Sequence, residues 1–387
     1  MRADPYPYYH RLRRTDPIHR SPFGYWVLSR YCDVDSLLRD PRTCSDFPHD
    51  EAWARHRGGA DSPIVHSTMR WMMMLDGAAH RRLRAFTGQV FTARAVQRLR
   101  PRIAAVIDEL IDGIGEDRID LVKDLALPLP IMVIGELLGI PRADRGQCRI
   151  WTDHIGRVVD PIVTPDMRAA MNRAVTEFSA YLAEQVRARR VNPGQDLLSS
   201  LVTMDDSGDR LTDDEVIANV LLLFNAGHET TVNLIGNGML ALLRHPEQMS
   251  LLRHKPELIG QAVEEISRYD SPVQIAARIM TGDVSIGETT IPAGSKVMMI
   301  YGAANRDPAR YFEPDRLDIR RTGVRSLAFG GGPHFCIGAP LARLEVAMVF
   351  TALLDRYRSI ELATDELSWR ANFNLRGLNE LPLTMLR

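Results

Sequence analysis

Cysteine is scarce in this sequence, and its four copies are far apart. The 387-residue chain has Cys32, Cys44, Cys148 and Cys336, with no Cys-x-x-Cys pair. This spacing argues against a zinc site or a disulfide framework and is typical of a reducing compartment. A formal net charge of -1 gives no indication of nucleic-acid binding. Apolar runs fall short of the roughly 20 residues that span a bilayer, and the N-terminus lacks a signal-peptide core. We therefore expect a cytoplasmic protein that binds neither membranes nor nucleic acid.

Helical periodicity dominates the chain between residues 78 and 320. Strand patterns are confined to short stretches around Tyr25–Leu28, Arg278–Val297 and Phe373–Leu386. Residues 41–75 are rich in Pro, Gly, His and Asp and predict a long loop. The sequence shows no internal repeat and no low-complexity linker that would divide it. It predicts a mainly α fold with a small β-rich part.

A run of glycines surrounds Cys336 in the segment Phe329-Gly-Gly-Gly-Pro-His-Phe-Cys-Ile-Gly338. Glycines let the backbone approach a flat, bulky group. The residues that follow predict a helix with Pro340 in its first turn, and the dipole of such a helix lowers the pKa of a preceding thiol. The segment indicates an anionic metal ligand. A buried structural cysteine is the alternative when these residues are taken alone.

A long buried helix is predicted in the middle of the chain. Thr212-Asp-Asp-Glu215 forms a capping box, and the helical pattern then continues to about Arg244. The helix is apolar on nearly every face but contains Ala226-Gly-His-Glu-Thr-Thr231. Glycine and an unpaired carboxylate are both costly inside a buried helix. A structural interpretation is that Thr230 bonds its own i−4 carbonyl and Glu229 pairs with an arginine.

These two segments resemble the heme-binding loop and the oxygen-binding helix of the cytochromes P450. The patterns Phe-x-x-Gly-x-x-x-Cys-x-Gly and small-Gly-x-acid-Thr are both complete. The resemblance implies the P450 fold in a single catalytic domain over residues 1–387, a heme b cofactor, and Cys336 as the axial iron ligand. It also implies that Gly227 makes room for dioxygen, that Thr230 donates a hydrogen bond, and that Glu229 relays protons. A buried acid–alcohol pair can supply protons without admitting bulk water.

The resemblance further assigns residues that hold the heme and its loop. Glu265-Ile-Ser-Arg268 is an i, i+3 pair of a kind that is most often an exposed salt bridge. It matches the family's Glu-x-x-Arg motif, with Arg316 as the expected third member of a buried structural triad. Arginine suits the heme propionates because its planar fork binds carboxylates, although each cation taken singly could be a solvated charge. The implied heme contacts are His80, Arg84, Gly227, Arg278, Phe329, His334, Cys336 and Gly338.

The leading hypothesis is a heme-thiolate monooxygenase that oxidises a small apolar organic substrate with dioxygen, in natural-product biosynthesis. Because no flavin domain is visible, two electrons are expected from a ferredoxin and its reductase. A peroxide-dependent peroxygenase and a non-catalytic heme-thiolate sensor are the alternatives, and the intact Glu229–Thr230 pair argues against both. The family pattern does not choose the substrate. It places the pocket around Met72, Leu223, Phe224, Val273, Ala276 and Asn374.

Overall fold

The computed structural model describes residues 3–89, 91–114, 118–204 and 209–387. Helices account for 57% of the structure and the sheets are small, which confirms the mainly α fold with a small β-rich part. The chain forms two units, each assembled from separate stretches. The first unit comprises Met1–Thr43, Leu99–Leu129 and Thr230–Arg387, and the second comprises Cys44–Arg98 and Pro130–Glu229. Within the described ranges, no helix is both long and apolar enough to cross a bilayer.

Helices supply most of both units, and the longest of them begins with the predicted capping box. The Thr212 backbone N–H donates to Glu215 Oε2 at 2.9 Å, and the Glu215 N–H donates back to Thr212 Oγ1 at 3.3 Å. In chain order the α-helices are α1 (Tyr6–Thr15), α2 (Tyr31–Leu37), α3 (Glu51–His56), α4 (Pro63–Thr68), α5 (Gly77–Gly88), α6 (Ala93–Arg98), α7 (Arg100–Asp112), α8 (Pro128–Leu137), α9 (Arg145–Ile155), α10 (Pro165–Val191), α11 (Leu197–Thr203), α12 (Asp213–Arg244), α13 (Pro246–His254), α14 (Ile259–Tyr269), α15 (Tyr301–Ala304) and α16 (Ala339–Arg356).

Over the described ranges of the chain, the strands form three small sheets. The largest has the order β1-β2-β8-β5-β3, a second has the order β4-β10-β9, and β6 pairs with β7. The β1–β2 pair confirms the strands predicted around Tyr25–Leu28. In chain order the strands are β1 (Ile18–Arg20), β2 (Trp26–Leu28), β3 (Thr43–Cys44), β4 (Arg118–Asp120), β5 (Ile275–Met280), β6 (Val284–Ile286), β7 (Thr289–Ile291), β8 (Lys296–Ile300), β9 (Ser359–Leu362) and β10 (Pro382–Leu386).

Each unit has its own apolar core. In the first unit, the main sheet and α2 bury a cluster that includes Leu28, Leu37 and Val297. In the second unit, aromatic rings join α9, α10 and α12. The Phe178 ring packs edge-on against Phe224 with 5.8 Å between centroids, and it stacks on Trp151 at 5.1 Å. Such aromatic pairs add stability beyond the area they bury.

The prediction of one long loop over residues 41–75 is wrong. This stretch contains α3 and α4, and Ile64 in α4 is completely buried. The starting signals were present, because the Asp50 side chain caps α3 by accepting from the Trp53 N–H, and Pro63 opens α4. The strand predicted over Phe373–Leu386 is shorter than expected and covers only Pro382–Leu386.

Candidate functional site

The loop that carries Cys336 is a tight turn that depends on its glycines. Gly330 and Gly332 have φ angles of 71° and 64°, a region that other residues avoid. A side-chain carbon at Gly332 would lie 2.1 Å from the backbone oxygen of Leu38 in the first unit, so this position has no room for one. The Cys336 N–H donates to the Phe329 carbonyl at 2.9 Å and closes the turn. The turn leaves Cys336 exposed.

Helix α16 begins directly behind the sulfur. Gly338 is its N-cap and Pro340 lies in its first turn, as the sequence predicts. The partial positive charge of a helix N-terminus favours a thiolate at this position. Cys148 has the opposite environment, because burial, with the Asp144 charge adding to it, raises the pKa of its thiol to about 12. The environment of Cys336 is therefore suited to an anionic ligand. The environment of Cys148 is that of an inert core residue.

Phe329 fixes the first half of the loop through a cation–π contact. The guanidinium of Arg343, on α16, lies 4.5 Å from the centroid of the Phe329 ring. Arg343 also forms an ion pair with Glu264 of α14. The loop, α14 and α16 are thus tied together within the first unit.

A buried charge network supports this same region. Arg268 Nε and Nη2 donate to the two carboxylate oxygens of Glu265, each at 2.8 Å, and both side chains are 0% exposed. Arg268 Nη1 also donates to the carbonyls of Asn305 and Pro314 at 2.9 and 2.7 Å. An exposed salt bridge is excluded for this pair. Its bidentate geometry and extra acceptors are what a buried ion pair requires.

The predicted third member of the network, Arg316, is wrong. The Arg316 side chain is 54% exposed and pairs with Glu313 at 3.1 Å, and only its backbone carbonyl accepts from Arg268. Arg321 takes the expected place, because its Nε donates to Glu265 Oε1 at 3.2 Å. The chain turns before both arginines, at Glu313, whose φ of 43° is unusual for a residue with a side chain.

The middle of α12 is accessible although the helix on both sides is buried. Ala226 is exposed, and Gly227, Glu229 and Thr230 are half-buried. Of the residues that the structure describes, a side-chain carbon at Gly227 would meet Ile134 alone, at 3.7 Å, apart from the backbone of its own helix. This opening in an apolar helix is where a bound group could lie against the backbone.

Comparison with known proteins identifies the family. The family model described as "Cytochrome P450" matches residues 152–370. Cytochrome P450 monooxygenase PikC of Streptomyces venezuelae is 42% identical over 396 residues, covering 100% of this chain and 92% of the relative. The chain belongs to the cytochrome P450 family. It is therefore an oxidoreductase of the P450 monooxygenase class, and the family implies a heme.

Two further similarities extend over nearly the whole length. The polyketide biosynthesis cytochrome P450 PksS of Bacillus subtilis is 38% identical over 393 residues, covering 99% of this chain and 96% of the relative. The crystal structure of P450BioI, in complex with hexadec-9Z-enoic acid ligated acyl carrier protein, superposes with a TM-score of 0.93. It is 36% identical and covers 99% of this chain and 98% of that chain. This P450 thus shares its fold with P450BioI over nearly the whole chain, and it is similar over nearly its full length to PksS, a polyketide biosynthesis enzyme.

The acid motif of this P450 faces the end of α9 within the second unit. From a side-chain carbon built at Gly156, Asn225 Oδ1 would lie at 3.3 Å and Glu229 Oε2 at 3.8 Å. His228 is 2% exposed, and its Nε2 lies 3.7 Å from Asp153 Oδ1. Sequence reasoning missed His228. The signal was a titratable residue at the unspecified position of the small-Gly-x-acid-Thr pattern, within an otherwise apolar helix.

The predicted heme contacts occupy both units of the P450. In the second unit, His80 and Arg84 lie four residues apart on α5, and His80 is buried. In the first unit, Arg278 lies on β5 with its Nη1 donating to the Ala277 carbonyl at 2.8 Å, and His334 lies in the short turn before Cys336. Their contact with propionates stays a prediction. Within the first unit, an exposed cysteine on a glycine turn is compatible with a flat, bulky group bound through a thiolate.

The predicted substrate residues are likewise distributed over both units. In the second unit, Met72 is buried and Leu223 and Phe224 lie in buried turns of α12. In the first unit, Val273 forms a bridge with Leu375, and the Gln274 N–H donates to the Asn374 carbonyl at 2.8 Å. The structure thus brings the segment of Val273 and Ala276 beside the segment of Asn374.

Proposed function

We propose that this cytochrome P450 binds heme b through the Cys336 thiolate and oxidises a small apolar natural product with dioxygen. The observation that carries the proposal is the exposed Cys336 on a glycine turn immediately before α16. Heme, when bound there, supplies the activation of dioxygen, which an axial thiolate favours. His80, Arg84, Arg278 and His334 are proposed to hold its propionates.

Glu229 and Thr230 are proposed to deliver protons to the reacting oxygen. They are consecutive in α12, half-buried, and next to the exposed Ala226. The Thr230 hydroxyl donates a hydrogen bond into the site, and the Glu229 carboxyl returns a proton to it. Because these side chains carry the protons, the reaction does not need bulk water in the pocket.

The substrate is proposed to be apolar and extended, and to come from a biosynthetic pathway. Two findings support this: PksS is a polyketide biosynthesis enzyme, and P450BioI was crystallised with a hexadecenoyl chain on a carrier protein. The proposed pocket residues are mostly apolar, and a methionine such as Met72 adapts to irregular ligands. Hydroxylation or epoxidation of such a chain is the proposed reaction.

We further propose that a ferredoxin and its reductase supply the electrons in the cytoplasm. A cleft of about 440 Å³ borders the cysteine loop, and three arginines and two acids line it: Arg39, Arg325, Arg343, Asp35 and Glu264. Arg39 pairs with Asp35 and Arg343 with Glu264, so Arg325 supplies the excess positive charge that an acidic small protein would meet here. The cleft supports an electron donor that approaches the loop from this side.

Substitution of the ligand tests the heme assignment. Cys336→Ala should lose the red-shifted absorption band that thiolate-ligated heme gives when it is reduced and bound to carbon monoxide. Cys32→Ala is the matched control, since Cys32 is also exposed and lies outside the loop, and it should keep the band. A normal absorption band in Cys336→Ala would disprove the assignment of Cys336 as the thiolate ligand.

Reconstitution separates the possible activities. Product formation with NAD(P)H, a ferredoxin and its reductase, tested first on hexadec-9-enoic acid and polyketide lactones, supports the monooxygenase. Product formation only with hydrogen peroxide would instead show a peroxygenase. Binding without turnover under both conditions would show a sensor.

A further inference from the structure

We propose that His228 and Asp153 form the proton inlet that connects solvent to Glu229. The proposal rests on the proposed function, because the inlet supplies protons to Glu229, the acid that serves the reaction. It begins from the position of His228, a titratable side chain that is 2% exposed and immediately precedes Glu229 in α12. A buried histidine beside a proposed proton donor needs a physical explanation.

Asp153 gives the imidazole a connection to solvent. Its Oδ1 lies 3.7 Å from His228 Nε2, within ion-pair range, and its side chain is 45% exposed. Its other oxygen, Oδ2, accepts from Arg149 Nη1 at 2.9 Å, an i, i+4 pair on α9. Asp153 is thus held in place by Arg149 with one oxygen directed at the buried ring. The pair spans from the surface to the interior of the second unit.

The imidazole and the Glu229 carboxylate meet the same face of α9. Asp153 and Gly156 are three residues apart, so their Cβ positions are about 5–6 Å apart on one helix surface. His228 Nε2 lies 3.7 Å from Asp153 Oδ1, and Glu229 Oε2 lies 3.8 Å from a carbon built on Gly156. Both side chains therefore approach the C-terminal end of α9, and in the proposal water links the ring to the carboxylate.

The proton steps balance without any further reagent. As Glu229 passes its proton toward Thr230, the N–H bond of the His228 imidazolium breaks and a new O–H bond forms on the carboxylate. The neutral imidazole then takes a proton from solvent at Asp153, whose negative charge stabilises the imidazolium. His228 and Asp153 are positioning and relay residues; neither is required to touch the substrate.

The test uses the full holoenzyme with three variants. His228→Gln keeps a polar side chain but carries no proton, Asp153→Asn removes the charge, and Glu177→Gln is the control. Glu177 accepts from Trp151 Nε1 at 2.8 Å, and a glutamine can still accept there while one carboxylate beside α9 is neutralised. With hexadec-9-enoic acid as probe, one measures NAD(P)H consumed, peroxide released, product formed and the solvent deuterium isotope effect.

We expect His228→Gln and Asp153→Asn to lower product per NAD(P)H by about tenfold and to raise the isotope effect. The double variant should be no worse than either single one, because both act on one path. Spectral Kd for the probe and Tm should stay near wild type in His228→Gln. Wild-type coupling in that variant, or a loss of coupling that merely follows a loss of Tm and affinity, would overturn the proposal.

A second measurement does not depend on turnover. In the reduced, carbon monoxide-bound holoenzyme labelled with ¹³C-histidine, the resonance lost in His228→Gln identifies His228. Its titration midpoint should fall in Asp153→Asn and stay unchanged in Glu177→Gln, and an unmoved midpoint in both would refute the pairing. If the wild type has the thiolate band but forms no product, the proposed function fails while this measurement still decides the pairing.

Discussion

Glu345 is a buried acid on α16 whose ionisation should make the stability of this P450 fall as pH rises. Its side chain is 2% exposed, and its neighbours Leu344 and Val349 on the same helix are buried. Among the residues that the structure describes, no partner bonds its carboxyl group. Burial alone raises the pKa of Glu345 from 4.5 to about 8. At neutral pH the folded protein therefore holds this carboxyl group protonated.

The direction of the pH effect follows from proton counting. Between pH 4.5 and about 8 the unfolded chain has released this proton while the folded chain keeps it. The free energy of unfolding then falls as pH rises, by up to about 1.36 kcal/mol per pH unit. The raised pKa, from 4.5 to about 8, sets the size of this loss of unfolding free energy. The loss is absent below pH 4.5, is about 3 kcal/mol at pH 7, and reaches about 5 kcal/mol above pH 8.

Glu345→Gln removes this titration while keeping the size and shape of the side chain. Unfolding in urea, followed by circular dichroism at pH 5, 6, 7 and 8, gives the free energy for the wild type and the variant. The difference in favour of the variant should grow by about 3.5 kcal/mol between pH 5 and pH 8. Glu257→Gln is the control, because it makes the same chemical change at an exposed glutamate. Parallel stability curves for Glu345→Gln and the wild type would refute the reasoning.

Three further substitutions test other parts of the molecule. Gly332→Ala should lower the free energy of unfolding, measured in urea, by at least about 2 kcal/mol. The added methyl group would sit at a φ of 64° and 2.1 Å from the Leu38 carbonyl oxygen. An unchanged urea midpoint would disprove this steric clash. Arg321→Ala should lower the free energy of unfolding by about 1–3 kcal/mol, because it weakens the network of the fully buried Glu265. Arg316→Ala should lower it by less than about 0.5 kcal/mol, because its ion pair is exposed. The reverse order of the two losses would restore Arg316 as the predicted partner of Glu265. Thr230→Ala should consume NAD(P)H at a normal rate while releasing peroxide in place of product, and full coupling would remove Thr230 from the mechanism.

The sequence predicted the parts of this P450 that follow from local rules. The capping box at Thr212 located the start of α12, and the glycines with Pro340 located the cysteine turn and α16. Both signals depend on residues within a few positions of each other. The chain's membership of the family, and with it the enzyme class, followed from these two segments.

The errors occurred where the backbone path depends on distant contacts. The sequence predicted Arg316 as the partner of Glu265, whereas the structure places Arg321 there. The backbone carbonyl of Arg316, and not its side chain, faces Arg268. Residues 41–75 were predicted as a loop because their helices are short and broken by glycine and proline, although Asp50 and Pro63 mark helix starts. His228 was overlooked because its partner Asp153 belongs to another helix.

The cysteine loop also has a consequence for how the protein is made. Residues 31–38 hold the segment that contains the loop. Tyr31 Oη donates to the Arg325 carbonyl at 2.8 Å across a separation of 294 residues, and the Leu38 backbone packs against Gly332. Contacts of such long range form slowly and require nearly the whole polypeptide. Cys336, the proposed iron ligand, therefore reaches its final geometry only after this segment has been synthesised and has packed against residues 31–38. We expect the cofactor to be captured by a nearly folded chain, so that its supply late in expression limits the yield of active enzyme.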